Sequence, residues 1–212
     1  MSARIVFATN NEGKLSEIKM IMEDLGFPIY GMKELGIHLD VVEDGGTFEA
    51  NALLKAKALA EVLPYDIILA DDSGLEIDYL DKAPGVESAN FAGRDTPYEV
   101  KNQMLIDELE GVVESERRAR FVCVIVGIFP SGQSFLEDSA FSGGEVEMSY
   151  GEIEGIIGYE IAGEKGFGYD PIFYLPDYAC TTAQLDPEMK NRLSHRGKAL
   201  EEMKGIISKR KT

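Results

Sequence analysis

Four segments of this sequence carry residues whose types and spacing could do chemistry. The first, Thr9-Asn10-Asn11-Glu12-Gly13-Lys14, lies between a short apolar run and a helical pattern. A helix N-terminus offers unpaired N–H groups and the positive end of a dipole, so this segment could bind a phosphate. The G-x-x-x-x-G-K spacing of a P-loop is absent. A capped strand–helix turn with an exposed lysine is therefore the alternative interpretation.

The second segment is acidic and follows an apolar run. Asp71-Asp72-Ser73-Gly74 comes directly after Ile67–Ala70, and ligands of α/β sheets bind beyond the carboxyl ends of strands. One of the two carboxylates could therefore hold Mg²⁺ or orient a water, while side-chain alternation predicts a surface or structural role for the other. Glu43-Asp44, before Gly45-Gly46, could supply a further carboxylate. Solvated acidic turns are the alternative in so acidic a chain.

The third segment is a glycine-rich loop that ends in Phe167-Gly168-Tyr169-Asp170-Pro171. Glycine lets the backbone approach a ligand closely, and an aromatic ring could stack on a nucleotide base. A tight turn with aromatic residues in the core is an equally good interpretation of this loop by itself.

The fourth segment is basic and extends from Lys190 to Lys198. His195 and Arg196 stand at the predicted start of a helix, where cations are disfavoured, and a residue that breaks a local rule is a functional candidate. Either side chain could donate hydrogen bonds to a carbonyl group of a ligand. The alternative is a solvated basic helix end.

Hydrophobic periodicity and cap residues predict the elements that position these segments. The predicted strands are Arg4–Thr9, Ile67–Ala70, Leu75–Leu80 and Arg118–Phe129, with a strand-rich middle up to about Ile161. The predicted helices cover Leu15–Leu25, Phe48–Leu63 after the cap Thr47, Pro97–Leu109 after the cap Thr96, a short helix from Asp186-Pro187, and His195–Ser208 after the cap Ser194. This mixture predicts one α/β domain over residues 1–212.

Composition limits the classes of partner. The chain has 212 residues and a net charge of −17, which argues against a broad nucleic-acid-binding face and against adhesion to an anionic membrane. Its two cysteines, Cys123 and Cys180, are too few for a disulfide framework or a structural zinc site. We see no signal-peptide pattern and no apolar run near the ~20 residues of a spanning helix, so we expect a cytoplasmic protein.

Six segments appear together in an order that resembles a known family: Ala8–Lys14, Thr47–Ala56, Ala70–Asp78, Ala83–Gly93, Gly166–Phe173 and Ser194–Leu200. The chain is similar to the inosine triphosphate pyrophosphatases, also called XTP/dITP diphosphatases, over nearly its whole length. The resemblance implies an elongated two-lobed α/β fold around a long mixed β-sheet flanked by helices, with the active-site cleft between the lobes. It also implies a homodimer that hydrolyses the noncanonical purine triphosphates ITP, dITP and XTP to monophosphate and pyrophosphate with Mg²⁺.

The resemblance also implies roles for individual residues. Asp72 would be the catalytic general base and a Mg²⁺ ligand, with Glu43 as the second metal-associated carboxylate. The residues implied to contact the triphosphate are Thr9, Asn10, Asn11, Glu12, Gly13, Lys14 and Lys55. Those implied to contact the rest of the substrate are Ser73, Phe167, Gly168, Tyr169, Asp170, Lys190, His195 and Arg196.

Two positions depart from the family pattern, because Asn90 stands where arginine is common and Gln184 where glutamate is usual. Two other functions are compatible with the sequence. One is a pyrophosphatase of related fold that acts on modified pyrimidine or other nucleoside triphosphates. The other is a nucleotide-binding protein without catalytic activity.

Overall fold

Seven strands form one mixed sheet in this computed structural model, which describes residues 4–130 and 144–210. They are β1 (Ile5–Phe7), β2 (Ile29–Gly31), β3 (Ile67–Ile77), β4 (Arg118–Phe129), β5 (Glu145–Ile157), β6 (Phe173–Leu175) and β7 (Cys180–Thr181). Their order is β2-β1-β3-β4-β5-β6-β7; β1 pairs in parallel with β2 and β3, and β6 is antiparallel to β5 and β7. The predicted α/β class with a mixed sheet is confirmed.

Five α-helices accompany the sheet within the described ranges: α1 (Glu12–Met22), α2 (Phe48–Val62), α3 (Tyr98–Glu108), α4 (Pro187–Leu193) and α5 (His195–Lys209). Their starts follow from local chemistry, since a polar side chain before a helix satisfies one of its unpaired N–H groups. Thr47 accepts from the N–H of Ala50 before α2, and Asp186 accepts from the N–H of Met189 before α4. Ser194 Oγ accepts from the N–H of Gly197 in the first turn of α5.

The helix α3 begins one residue later than its sequence indicates. Pro97, not Thr96, is its N-cap, and the Thr96 hydroxyl instead donates to the carbonyl oxygen of Ala92 at 2.7 Å. The residue before a proline is biased towards extended backbone, which keeps Thr96 outside the helix. The prediction of Thr96 as the cap was wrong, while the helix itself is confirmed.

The strand β3 is longer than predicted. It continues through Asp71-Asp72-Ser73-Gly74, which the sequence indicated as a loop, and ends at Ile77, so that Asp78–Leu80 is a 3-10 turn instead of strand. Both aspartates are buried, with 2% and 7% of their surface exposed. Of the surface or structural role predicted for one of them, the surface alternative was wrong, because each carboxylate is buried against a lysine that compensates its charge.

The chain divides into two compact units. The first contains the described residues up to Asp72, those within Val124–Tyr150, and the chain from Ala199 onward. The second consists of Ser73–Cys123 and Gly151–Lys198. The apolar core of the second unit includes Leu75, Leu105, Phe121, Ile157 and Phe173. The prediction of a single domain over residues 1–212 stays a prediction.

The remaining expectations concern cysteines, the middle of the chain and membranes. Cys123 is buried and Cys180 half-buried, and both are free thiols. The strand-rich middle is confirmed for β5, whereas its residues 131–143 lie outside the described ranges. Across residues 4–130 and 144–210, no helix is long and apolar enough to cross a membrane.

Candidate active site

The turn between β1 and α1 places Lys14 against a buried carboxylate of β3. Thr9 Oγ1 accepts from the N–H of Asn11 at 3.1 Å, and Asn11 Oδ1 accepts from the N–H of Lys14 at 3.1 Å. Lys14 Nζ then donates to Asp71 Oδ2 at 2.9 Å. The ammonium group is thereby held at one defined place beside the sheet, next to the N-terminus of α1.

A second lysine joins two carboxylates in the same unit. Lys55 Nζ donates to Glu43 Oε2 at 2.8 Å and to Asp72 Oδ1 at 3.1 Å. Asn51, one turn earlier on α2, donates from Nδ2 to Asp72 Oδ2 at 3.2 Å and accepts from the N–H of Gly45 at 2.9 Å. The helix α2 therefore holds the Asp72 carboxylate at both oxygens and ties it to the loop that carries Glu43.

Burial and charge act on the protonation of this cluster. Burial raises the pKa of the Asp72 carboxyl above its usual value; the positive charge of Lys55 opposes this rise and the negative charge of Glu43 adds to it. Burial alone would lower the pKa of Lys55, but the negative charges of Asp72, Asp71 and Glu43 outweigh it and raise that pKa. A carboxylate of raised pKa is the better general base near neutral pH, and its lysine stays charged.

The glycine-rich loop is folded around a buried ion pair of the second unit. Asp170 Oδ2 accepts from the N–H of Phe167 and from Lys190 Nζ, both at 2.8 Å. Gly166 has a φ of +77°, and a Cβ atom there would lie 2.3 Å from Asp170 Oδ2. The loop therefore requires glycine at this position, both for its backbone conformation and for the close approach of the carboxylate.

Two cations lie over the ring of Phe167. Lys190 Nζ is 4.8 Å and Arg196 Cζ 5.3 Å from the ring centroid, both within the range of cation–π attraction. Arg196 Nη2 also donates to Ser73 Oγ at 3.1 Å. His195 is stacked on Phe121, with 4.8 Å between the ring centroids. An aromatic face beside guanidinium and ammonium donors can receive a planar ring that carries carbonyl oxygens.

Comparison with known proteins assigns the chain to one family. The family model described as "Ham1 family" matches residues 5–206. The chain belongs to the Ham1 family. A dITP/XTP pyrophosphatase of Desulforamulus reducens is 43% identical over 97% of this chain and 96% of its own length, and one of Bacillus subtilis is 38% identical over 95% and 96%. The family predicted from the sequence motifs is thereby confirmed.

Solved structures of the Ham1 family share the fold. A HAM1 protein from Coxiella burnetii has a TM-score of 0.83 and 36% identity, covering 98% of this chain and 100% of its own. The Staphylococcus aureus Ham1 protein has a TM-score of 0.79 and 38% identity, covering 98% of this chain and 99% of its own.

The acidic cluster of this Ham1 chain has the donor chemistry for Mg²⁺. Glu43 and Asp72 both bond to the Lys55 ammonium, so their oxygens converge on one positive charge. In proteins Mg²⁺ takes one or two carboxylates together with waters and substrate phosphates. Within the described ranges, no group of three or more His, Cys, Asp or Glu side chains is arranged to hold a metal. An ion at these two carboxylates would therefore take waters or phosphate oxygens as its further ligands.

Four further residues implied by the resemblance differ in exposure and in their hydrogen-bond partners. The Asn10 and Glu12 side chains are exposed, and Glu12 pairs with Lys33. Tyr169 is buried, and its hydroxyl donates to the carbonyl oxygen of Ser88 at 2.6 Å, which is a core contact. Gly168 (φ +69°) presents its carbonyl oxygen to Asn102 Nδ2 at 3.1 Å. Their roles in substrate binding stay predictions.

The two departures from the family pattern have simple local environments. Asn90 is exposed and donates from Nδ2 to Glu87 Oε2 at 3.3 Å. Gln184 forms a capping box, because its Oε1 accepts from the N–H of Thr181 at 2.8 Å. The acceptor is therefore a neutral amide oxygen, where the usual glutamate would offer a carboxylate oxygen.

Sequence reasoning did not propose Asn51, Asn102 or Thr182, whose side chains contact proposed site residues. Asn51 had a signal, because it lies four residues before Lys55 and so shares its helix face. Asn102 donates a hydrogen bond to Gly168, 66 residues later in the sequence, and Thr182 donates one to Asp170, 12 residues earlier. Such distant contacts leave no local pattern in the sequence.

Proposed function

We propose that this chain hydrolyses the noncanonical purine nucleoside triphosphates ITP, dITP and XTP to the nucleoside monophosphate and pyrophosphate. Its relatives named dITP/XTP pyrophosphatase match it at about the same length and at 37–43% identity. Such an enzyme removes deaminated purines from the nucleotide pool.

One observation carries this proposal. Asp72, which is buried with a raised pKa, bonds to Lys55, and the next residue, Ser73, bonds to Arg196 over the Phe167 ring. The carboxylate suited to deprotonate water and the hydroxyl that binds the Arg196 guanidinium thus belong to consecutive residues of β3. This supports a substrate with both a phosphate chain and a planar base.

The phosphate chain is assigned to the cluster of the first unit. Lys14 and Lys55 contact phosphate oxygens and position the chain, while the Asp72 carboxylate accepts the proton of the attacking water. Glu43 and Asp72 would hold Mg²⁺, which would supply positive charge to the phosphates and to the leaving pyrophosphate. Because Asn51 and Lys55 fix both oxygens of Asp72, the base is oriented before substrate binds.

The base is assigned to the cluster of the second unit. Phe167 stacks on the purine, and Arg196, Lys190 and His195 offer donors to the 6-oxo group of hypoxanthine or xanthine. Adenine carries a 6-amino donor at that position, which cannot accept a hydrogen bond from these side chains. A hydrogen bond lost in a buried site costs about 1–3 kcal/mol, so the loss of two or three gives strong selection against ATP.

The test is a pyrophosphate-release assay with ITP, dITP, XTP, ATP, GTP, dUTP and dTTP, each with Mg²⁺ and with excess chelator. We expect the 6-oxopurine substrates ITP, dITP and XTP to react fastest, to yield monophosphate and pyrophosphate, and to lose that reaction in chelator. Preference for the pyrimidine triphosphates would favour the pyrimidine alternative. Binding of ITP without turnover of any triphosphate would favour the non-catalytic one.

Assembly and location complete the proposal. The resemblance favours a homodimer, which light scattering on the purified protein would test by a mass of twice 23.3 kDa. A cytoplasmic location suits an enzyme that acts on free nucleotides, and fractionation of the host cell with an antibody to this chain would test it.

A further inference from the structure

The hydroxyl of Thr182 is buried against the carboxylate that holds Lys190. Thr182 lies in the 3-10 turn Thr182–Gln184 after β7, with 3% of its surface exposed. Its Oγ1 is 2.8 Å from Asp170 Oδ1 and 3.1 Å from the Asp170 carbonyl oxygen. Because a hydroxyl carries one proton, it donates to the nearer carboxylate oxygen.

This bond completes the surroundings of the Asp170 carboxylate. Oδ2 accepts from the N–H of Phe167 and from Lys190 Nζ, and Oδ1 accepts from Thr182. The two oxygens thus face donors from three separate parts of the chain, which defines one orientation of the carboxylate plane. A hydrogen bond to a charged group is stronger than one between neutral groups, so its loss should change the orientation of the Asp170 carboxylate.

The orientation of Asp170 matters for Lys190. The Lys190 ammonium lies over the Phe167 ring while it donates to Asp170 Oδ2. If Asp170 turned about its side-chain bonds, Oδ2 would move and the ammonium group would move with it. A shift of 1 Å in a group that contacts substrate is enough to change binding and rate.

We propose that Thr182 is a positioning residue for base recognition: its hydroxyl fixes Asp170 and thereby holds the Lys190 ammonium at the Phe167 ring. This inference rests on the proposed function, because it takes the Phe167 cluster as the base site. Thr182 itself donates to Asp170 and acts on the base only through Asp170 and Lys190.

Two variants of Thr182 distinguish the effect of its hydroxyl group from the effect of its shape. Thr182→Val keeps the shape and removes the donor, whereas Thr182→Ser keeps the donor and removes a methyl group. Ser149→Ala is the matched control, because Ser149 is equally buried and donates to the carbonyl oxygen of Ala199 at 2.8 Å, in the unit without the Phe167 cluster. Each protein is measured for kcat and KM with ITP, and for binding of IMP and of pyrophosphate by calorimetry.

We expect Thr182→Val to change the affinity for IMP but not the affinity for pyrophosphate. Thr182→Val should weaken IMP binding about tenfold and raise the KM for ITP to a similar extent, as the loss of a hydrogen bond to a charged group predicts. Its affinity for pyrophosphate should stay as in the wild type. Thr182→Ser should restore IMP binding, and Ser149→Ala should leave both affinities unchanged.

Two results would overturn the inference. One is unchanged IMP binding in Thr182→Val; the other is equal weakening of IMP and pyrophosphate, which indicates a general structural effect. Failure of the wild type to hydrolyse any 6-oxopurine triphosphate would overturn the proposed function alone, since the comparison of IMP binding stays readable. A wild type that hydrolyses ITP but does not bind IMP would overturn the inference alone.

Discussion

At Gly197 an added Cβ atom would overlap the backbone of another helix. In α5 a Cβ atom at this position would lie 1.6 Å from the carbonyl oxygen of Asn191 and 2.8 Å from its carbonyl carbon. An ordinary carbon–oxygen contact is about 3.3 Å, so one of the two backbones would have to move by roughly 1.7 Å. The obstacle is the backbone of α4 and cannot be relieved by a change of rotamer.

The cost follows from this displacement. Overpacking in a well-packed region costs about 1–3 kcal/mol, and a clash with backbone belongs at the upper end. In a protein of this size each kcal/mol lowers the melting temperature by about 2–4 °C, so Gly197→Ala should lower it by about 6–12 °C. Arg196 and Lys190 belong to the two helices that would move apart, so the KM for ITP should also rise.

The same helix provides the control. Gly205 is exposed in α5, and a Cβ atom there meets nothing within 4 Å. Alanine is better than glycine in a helix by about 0.5–1 kcal/mol, so Gly205→Ala should raise the melting temperature by about 1–4 °C. Differential scanning calorimetry of both variants and the wild type measures these melting temperatures. A Gly197→Ala protein that melts at or above the wild-type temperature would refute the reasoning.

The remaining predictions concern the site itself. Asp72→Asn should lower kcat about 10²- to 10⁴-fold with an unchanged near-ultraviolet circular dichroism spectrum, whereas full activity would remove Asp72 from the reaction. Arg196→Ala should reduce the ratio of the ITP rate to the ATP rate; an equal fall of both rates would show that Arg196 does not contact the base. In the metal-free protein, Lys55→Met should raise the pKa of Asp72 further, because the lost positive charge lowered it. Carboxyl ¹³C NMR measures this shift, and a fall of that pKa would contradict the assigned role of Lys55.

The helices were predictable because their causes are local. Thr47, Asp186 and Ser194 each stand one residue before a helix and bond to an N–H group in its first turn. The apolar spacing of α1 and α2 is equally local, and the buried Ile18 and Leu59 follow it. Information within four residues of a position is enough to place such elements.

The course of β3 was not predictable in the same way. Two adjacent aspartates suggest a solvated turn, because burying a charge is costly unless it is paired. The compensation comes from Lys14, 57 residues before Asp71, and from Lys55, 17 residues before Asp72. The family resemblance, carried by whole motifs, indicated Lys14, Lys55 and Asp72, but a pattern along one segment could not show that Asp71 is buried too.

The pairing of these cations bears on how an acidic protein of net charge −17 could bind a polyanion. Lys14 is paired with Asp71, Lys55 with Asp72 and Glu43, and Lys190 with Asp170. The lysines are therefore held in place by carboxylates that largely cancel their charge, and alone they offer a triphosphate little net attraction. Such a cluster suits a triphosphate accompanied by a divalent cation, which Glu43 and Asp72 would hold while Lys14 and Lys55 contact the phosphates. This charge balance is the physical reason for including Mg²⁺ in the proposed reaction.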